Sequence, residues 1–558
     1  DFTMNGFELI DEDSVNFDLM VDGPSTNFAT LNPLRAEADP ATYSNANLTA
    51  AYNNSTTEST IALPEGQNIY WELDWTGSNL AFGIGTLNSP QNGRATGIIW
   101  ENDTNSIWNF GTQAQAVGAI PQGNVACAWN GTNRTLQFFQ NGNAVGTAET
   151  VPANQEGPFF AYFSRIVGGG AGLTTNPNFG QRPFLQTPPA GFNALQCRNL
   201  AAAPITDPLD FFEALTYQGN GGTQTISGLQ FQPDMIWLKR TNATDNHAIY
   251  DSVRGPQQRI QPNLTESGAP QTNAVSAFTA SGWTMGSDSQ INGNGGDYVA
   301  WCWRAGGAAV TSTAGTIQSQ VSANTTAGFS VVTYTGDGNA SATIGHGLDA
   351  APELTIVKST STDGTNWTVY AAPISSGTNN TLELNESNAQ QEDPDNAFFG
   401  ATQTFNDTVF SVGNPDAGAT QSTNVNGRVY VAYSWASISG FSAVGSYVGN
   451  GNANGPFIYL GFRPAFVMVK RATGGTGNWQ IMDSARSTFN PASAWLEPNE
   501  AVPQQSGNAF IQEDFLSNGF KPRGGASTQD NIDGATYVYF CVAQQPFGGN
   551  NVQPANAR

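Results

Sequence analysis

Three stretches of this chain repeat one another, and that recurrence constrains the fold more than any other feature of the sequence. The first opens with LTYQGNGGTQTISGLQFQPDMIWLKRT, the second with VVTYTGDGNASATIGHGLDAAPELTIVKST, and the third with VGSYVGNGNANGPFIYLGFRPAFVMVKRAT. Tyr217, Tyr334 and Tyr447, 117 and 113 residues apart, each precede a Gly-x-Gly turn. Pro233, Pro352 and Pro464 precede an apolar strand that ends in Lys239, Lys358 and Lys470. These lysines are expected to face solvent or an acidic neighbour. HAIYDSVRG, NWTVYAAPI and NWQIMDSARS come next, followed by Asn263, Asn385 and Asn499. Strands holding Phe278, Phe410 and Phe510–Phe520 lead to the closing segments GDYVAWCW, GRVYVAYSW and ATYVYFCVA. Solenoid repeats are far shorter, so copies of this length predict a row of small domains, each folding alone.

The copies are predicted to be β-sandwiches. Charged residues are 11% of the chain, against about a quarter in an ordinary domain. The missing Lys, Glu and Arg are strong helix formers, and the Asn, Thr, Ser and Gly that replace them suit turns between short strands. The closing strand alternates Tyr298, Ala300 and Cys302 with Val299, Trp301 and Trp303, which predicts burial on both faces. Upstream, NIYWELDW, LAFGIG, GIIWE, VACAWN and TLQFFQNG are strands bounded by turn residues, the pattern of another sandwich. The fold class is all-β. Its predicted parts are an acidic arm (1–26), a sandwich (27–200), a linker (201–210) and repeats over 211–310, 327–440 and 441–550.

A net charge of −24 and a pI near 4.2 repel phosphate backbones, which excludes nucleic acid as a partner. No apolar run reaches the length of a membrane span. Residue 1 is Asp, so the start is processed or the numbering begins inside a longer chain. Cys127, Cys197, Cys302 and Cys541 are scattered, and free buried thiols are expected, two disulfides being the alternative. The two histidines, His247 and His346, lack a consistent counterpart in the other copies and read as polar loop residues, not as a triad or zinc site. No catalytic or metal-binding residue is assigned.

Asp251 and Asp483 each stand three residues before an arginine, Arg254 and Arg486, and read as local ion pairs tying a loop to its strand. The acidic loops 390–398, 292–298 and 530–537 offer oxygens for a structural Ca²⁺, without EF-hand spacing, and otherwise read as solvated turns; no cofactor is expected. Trp71, Trp237, Trp301 and Trp435 read as core. Trp108, Trp283 and Trp495 lie nearer loops, where a ring beside amides suits the apolar face of a sugar.

Residues 27–200 resemble a SPRY or concanavalin-like jelly roll. YWELDW (70–75), AFGIG (81–85) and GNVACAWNGTNRTLQFFQNGNAVGTA (123–148) carry the likeness, with Asn141-Gly142 placed for a type I′ hairpin turn. NFGQRPFLQTPPAGFNALQCRNL (178–200) is similar to the end of such domains in phage structural proteins. The three copies resemble a repeat of unknown function from marine bacteriophages, through YVAWCWRAGG, SANTTAGFSVVTYTGDGNASATIGHGL and GFRPAFVMVKRA. These resemblances imply a non-catalytic virion protein, part of a tail fibre, spike or other appendage, binding a host-surface glycan or protein. They also imply an arm attached to other virion proteins and a homo-oligomer, expected to be a trimer. A purely structural capsid or tail subunit, a bacterial adhesin and a polysaccharide depolymerase are the alternatives. Within the jelly roll, the loop ENDTNSIWNFG (101–111) combines Trp108 with Asn102, Asp103 and Asn105 and is the expected ligand site.

Overall fold

Short runs of β-branched and aromatic residues, broken by Gly, Asn and Pro, leave no stretch in which a helix of ordinary length can form. The described residues accordingly hold only two four-residue α-helices, Ser289–Asn292 and Ala372–Ser375, and two 3₁₀ turns. The structure, a computed structural model, describes residues 27–549 except 36–39, 88–92, 167–171, 376–378, 393–397, 401–402, 415–419, 508–510 and 525–528. The acidic arm, Phe510 and part of the 390–398 loop lie outside the described residues. No helix is long and apolar enough to cross a membrane among those residues. The chain divides into two units, one of described residues 27–202 with 548–549, the other of residues 203–547.

The first unit is built on two antiparallel sheets. One runs Thr42–Ser44, Thr49–Tyr52, Leu173–Asn178, Asn68–Thr76, Gly123–Asn130, Thr135–Gln140, Asn143–Thr150. The other runs Thr56–Ala62, Phe159–Arg165, Leu80–Thr86, Gly97–Glu101, Ser106–Asn109, Thr112–Ala116. The core lies between them. Phe138 of the first sheet meets Phe82 and Trp100 of the second at 5.4 and 5.9 Å between ring centres. Asn141 and Gly142 both have positive φ, 49° and 77°, which is the left-handed geometry a type I′ hairpin demands. Trp71, Trp75 and Trp129 are fully buried, Cys127 is a free, buried thiol, and Cys197 is buried.

In the second unit each segment pairs a first strand, its closing strand, the lysine strand and a short fourth strand in the same order. These are Phe212–Gln218, Asp297–Trp303, Met235–Arg240 and Ala248–Asp251 in the first segment. The second uses Phe329–Thr335, Val429–Trp435, Leu354–Ser359 and Thr368–Ala371, and the third Ser442–Val448, Thr536–Pro546, Phe462–Arg471 and Gln480–Asp483. A small sheet covers one face of each. Residues 310–324, all but the first of which the repeat pattern leaves between copies, add strands Val310–Ser312 and Ser319–Asn324 to the second sheet.

The recurrent tyrosines stack in pairs: Tyr217 on Tyr298, Tyr334 on Tyr430 and Tyr447 on Tyr537, at 5.1, 5.2 and 4.9 Å. Beside them Asn292, Asn424 and Asn531, all buried, accept from the backbone N–H of Asn220, Asp337 and Asn450 and so pin the Gly-x-Gly turns.

These segments do not form a row of independent domains. In the first segment's closing strand, Ala300 and Cys302 face that segment's own interior. The opposite face, with Val299, Trp301 and Trp303, enters a core shared with the other two segments. There Trp303 lies 6.1 Å from Trp435 and 5.6 Å from Phe466, and Trp435 lies 5.1 Å from Phe540. Both faces are apolar, as expected, but one of them is covered by neighbouring copies.

Hydrogen bonds close the arrangement into a ring. Trp367 Nε1 of the second segment donates to the first at Gln261 O and Leu264 O, both 3.1 Å. Trp479 Nε1 of the third donates to the second at Glu383 O, 2.9 Å. His247 of the first, at the same position just before the fourth strand, meets Glu497 O of the third at 3.1 Å. Asn263, Asn385 and Asn499 accept from the N–H groups of His247, Trp367 and Trp479, which explains why that asparagine recurs.

Candidate functional site

Trp108 sits on Ser106–Asn109, partly exposed, with the Arg94 guanidinium 4.7 Å from its ring centre. Its Nε1 donates to Thr104 Oγ1 at 3.0 Å, and Thr104 Oγ1 donates to Glu101 Oε1 at 2.8 Å. Arg94 also pairs with buried Glu101 and, at 2.7 Å, with exposed Asp103. Trp108 and Asp103 are thus brought together through Arg94. Asn102 is held elsewhere: its amide donates to Ile120 O at 3.3 Å and its carbonyl accepts Ile120 N–H. Asn105 turns the chain at φ 54°, and its backbone carbonyl accepts from Val117 and Gly118. One aromatic face, one carboxylate and one guanidinium therefore form the patch, while Asn102 and Asn105 hold its loop. Trp283 and Trp495 are both buried and belong to the packing, not to an open loop.

The second concentration of charged chemistry lies at the ring seams. Lys239, Lys358 and Lys470 do not face solvent, and although acids such as Asp245, Glu266 and Glu383 act on them, their bonds go to the backbone. All three are buried and donate to backbone carbonyls. Each reaches across a seam: Lys358 Nζ to Thr265 O at 2.8 Å, Lys470 Nζ to Glu386 O at 3.3 Å and Lys239 Nζ to Ala501 O at 3.3 Å. A loop carbonyl from the next segment takes the place of solvent because the lysine strand ends against that loop.

Burial pushes the ammonium groups of Lys358 and Lys470 down to about 7 and that of Lys239 down to about 8. In the unfolded chain they titrate near about 10.4. The penalty for burying the charge is full below pH 7 and is relieved as pH rises, because the unfolded chain then holds more protons. Stability is expected to climb from about pH 7 to about pH 10, by up to about 1.4 kcal/mol per pH unit for each lysine. From about pH 8.5, where an unfolded cysteine ionises, the buried thiols held protonated by desolvation oppose this climb, and above about pH 10 the buried tyrosines reverse its sign. Urea midpoints at about pH 7 and about pH 9 check this, and Lys358→Met should flatten the rise. A midpoint that falls over the interval would refute the assignment.

Both histidines lie in loops beside strands, as expected, but they are buried. His247 is buried, accepts from Trp237 Nε1 at 3.0 Å on Nδ1, and its Nε2 faces Glu497 O, so the neutral Nε2–H tautomer fits. His346 is buried too, accepting from Leu348 N on Nδ1 and facing Asn406 O with Nε2. Burial holds both below the usual histidine range.

Asp251 and Asp483 do form the local pairs expected, each accepting from the backbone N–H of its arginine at 2.8 Å and from its Nε. They also receive an aromatic donor across a seam. Tyr433 Oη reaches Asp251 at 2.7 Å and Trp301 Nε1 reaches Asp483 at 3.0 Å. In the second segment Ala371 and Ile374 replace this pair.

A family model described as a domain of unknown function (DUF7483) matches residues 207–546, nearly the whole second unit. The chain belongs to that family. The DUF7483 region thus takes in all three segments as one piece, in keeping with their shared core. No curated protein matches the chain.

Among solved structures, the stonustoxin structure is similar over 27% of this chain and 28% of its own, at 14% identity and a TM-score of 0.22. The SPRY domain of human HERC1 is similar over 27% of this chain and 99% of its own, at 12% identity and a TM-score of 0.23. For the TRIM65 PSpry domain the figures are 27%, 93%, 14% and 0.22.

Proposed function

We propose that the protein is a non-catalytic component of a bacteriophage virion, part of a tail fibre, spike or similar appendage that attaches to a host-surface glycan. What supports this reading is how the recurrent residues are used. The lysines, the asparagines and His247 all hold segment to segment, so the copies read as a rigid mount and not as repeated reaction centres. The likeness of 178–200 and of the copies to phage structural proteins points the same way. Attachment is assigned to the first unit, where the Trp108 ring and Asp103 offer an apolar face beside a hydrogen-bonding group. Several weak sites on one particle act together, so a homo-oligomer, most simply a trimer, fits this role.

Purified full-length chain, added in excess, is expected to slow adsorption of the phage to its host, and antibody against it should label intact particles. Trp108→Ala is expected to fold, losing about 1 kcal/mol with the cation–π contact, and to lose that competition. Labelled particles whose adsorption is untouched by excess protein would favour the structural-subunit reading. Absence of label from particles would overturn the virion assignment.

A further inference from the structure

The third segment's interior differs from the first segment's in one respect that packing does not explain. Val469 pairs with Gln480 as Leu238 pairs with Ala248, and Glu513 faces Pro522 as Val275 faces Met285. The Asp530 carbonyl accepts Tyr447 Oη as the Ile291 carbonyl accepts Tyr217 Oη. Ala248, Val275 and Ile291 therefore have Gln480, Glu513 and Asp530 as their counterparts, and in the first segment those three side chains share one apolar cluster.

Glu513 and Asp530 are 0% exposed and Gln480 is 1% exposed. Both carboxylate oxygens of Glu513, and both amide atoms of Gln480, lack a hydrogen-bond partner. Asp530 and Asp514 are the acids that act on Glu513, and Glu513 and Asp530 both act on the Tyr447 ring. Arg523 Nε is 3.3 Å from Asp514 Oδ2, and Lys521 Nζ donates to Gly455 O.

A carboxylate shut away from water needs a cation, donors or a proton. A proton would remove the charge of Glu513 and let its O–H donate to Asp530, yet leave the Gln480 amide as it is. A hard cation takes up the carboxylate and the Gln480 amide oxygen together, since it binds about 6–8 oxygens, carboxylate and amide carbonyl among them.

We propose that Glu513, Asp530 and Gln480 bind a Ca²⁺ ion inside the third segment, one that the first segment, with Val275, Ile291 and Ala248, does not bind. Among the described residues no three His, Cys, Asp or Glu side chains cluster as metal ligands, so this site depends on the amide oxygen and on backbone carbonyls to complete its shell. The ion is taken up during folding, because its ligands are sealed from solvent afterwards.

The test uses the full chain, unfolded in denaturant with EDTA, then refolded with or without millimolar CaCl₂. Calcium is expected to raise Tm by about 4 °C. Tb³⁺, excited through neighbouring aromatic rings, should emit and be displaced by Ca²⁺. The combined variant Glu513→Val, Asp530→Ile, Gln480→Ala carries the first segment's residues, and should fold, lose the Tb³⁺ signal and no longer respond to calcium. Should that variant not fold, Glu513→Gln keeps the shape and should weaken Tb³⁺ binding at least about tenfold, the loss of one charged ligand. A wild-type chain indifferent to Ca²⁺ and dark with Tb³⁺ would overturn the proposal. So would variants that keep both responses.

Discussion

Asp483→Ala is expected to destabilise the second unit by about 3–5 kcal/mol, because it leaves a buried guanidinium without its counter-charge. Arg486 would keep only Ile481 O and the Gln504 side chain as acceptors. Trp301 Nε1, on the neighbouring segment, would lose its acceptor as well. The chain itself supplies the compensating design. At the seam between the second and third segments the corresponding residues are Ala371, Ile374 and Phe540, which are apolar throughout. Asp483→Ala with Arg486→Ile and Trp301→Phe should therefore recover most of the loss and end within about 2 kcal/mol of wild type, since removing a whole buried polar set costs far less than orphaning one member. Denaturant midpoints at constant m measure both. A single variant within about 1 kcal/mol of wild type, or a triple variant as damaged as the single, would refute the role assigned to this triad.

The second large effect concerns autonomy. Residues 211–306 expressed alone are expected to show no cooperative unfolding transition, whereas residues 203–547 should show one. Separation would expose Met235, Trp237, Ile249, Val299, Trp301 and Trp303, all of which belong to the shared core. At about 1.5–3 kcal/mol for each large apolar side chain, the loss is on the order of 10 kcal/mol, as large as the whole stability of an ordinary domain. Calorimetry and near-ultraviolet circular dichroism decide the matter. A sharp transition in monomeric 211–306 would show that the shared core is not needed.

Strand chemistry, turn chemistry and repetition are local properties, and the sequence alone determined their consequences. The all-β class, the hairpin at Asn141-Gly142 and the Asp-x-x-Arg pairs all rest on contacts within a few residues or on composition. The positions of Tyr217, Lys239 and Asn263 and of their counterparts were legible as recurrent. Their partners were not.

Lys358 donates to Thr265 and Trp479 to Glu383, residues roughly a hundred positions away in another copy, and no spacing within one repeat reveals such a bond. Comparison of the copies position by position would have exposed the acids of the third segment, since Glu513 and Asp530 have Val275 and Ile291 as counterparts. That signal was lost in a count of 44 acidic residues, nearly all of which look alike until burial separates them. At Trp108 the sequence placed an aromatic ring among polar side chains, and only the tertiary structure directed Asn102 to Ile120 and set Arg94 over the ring. The same division holds for the repeats as a whole. Alternation showed that each closing strand hides both faces, but a buried face carries no label for what covers it, and closure of three segments around Trp303, Trp435 and Phe466 decided that the cover is another copy.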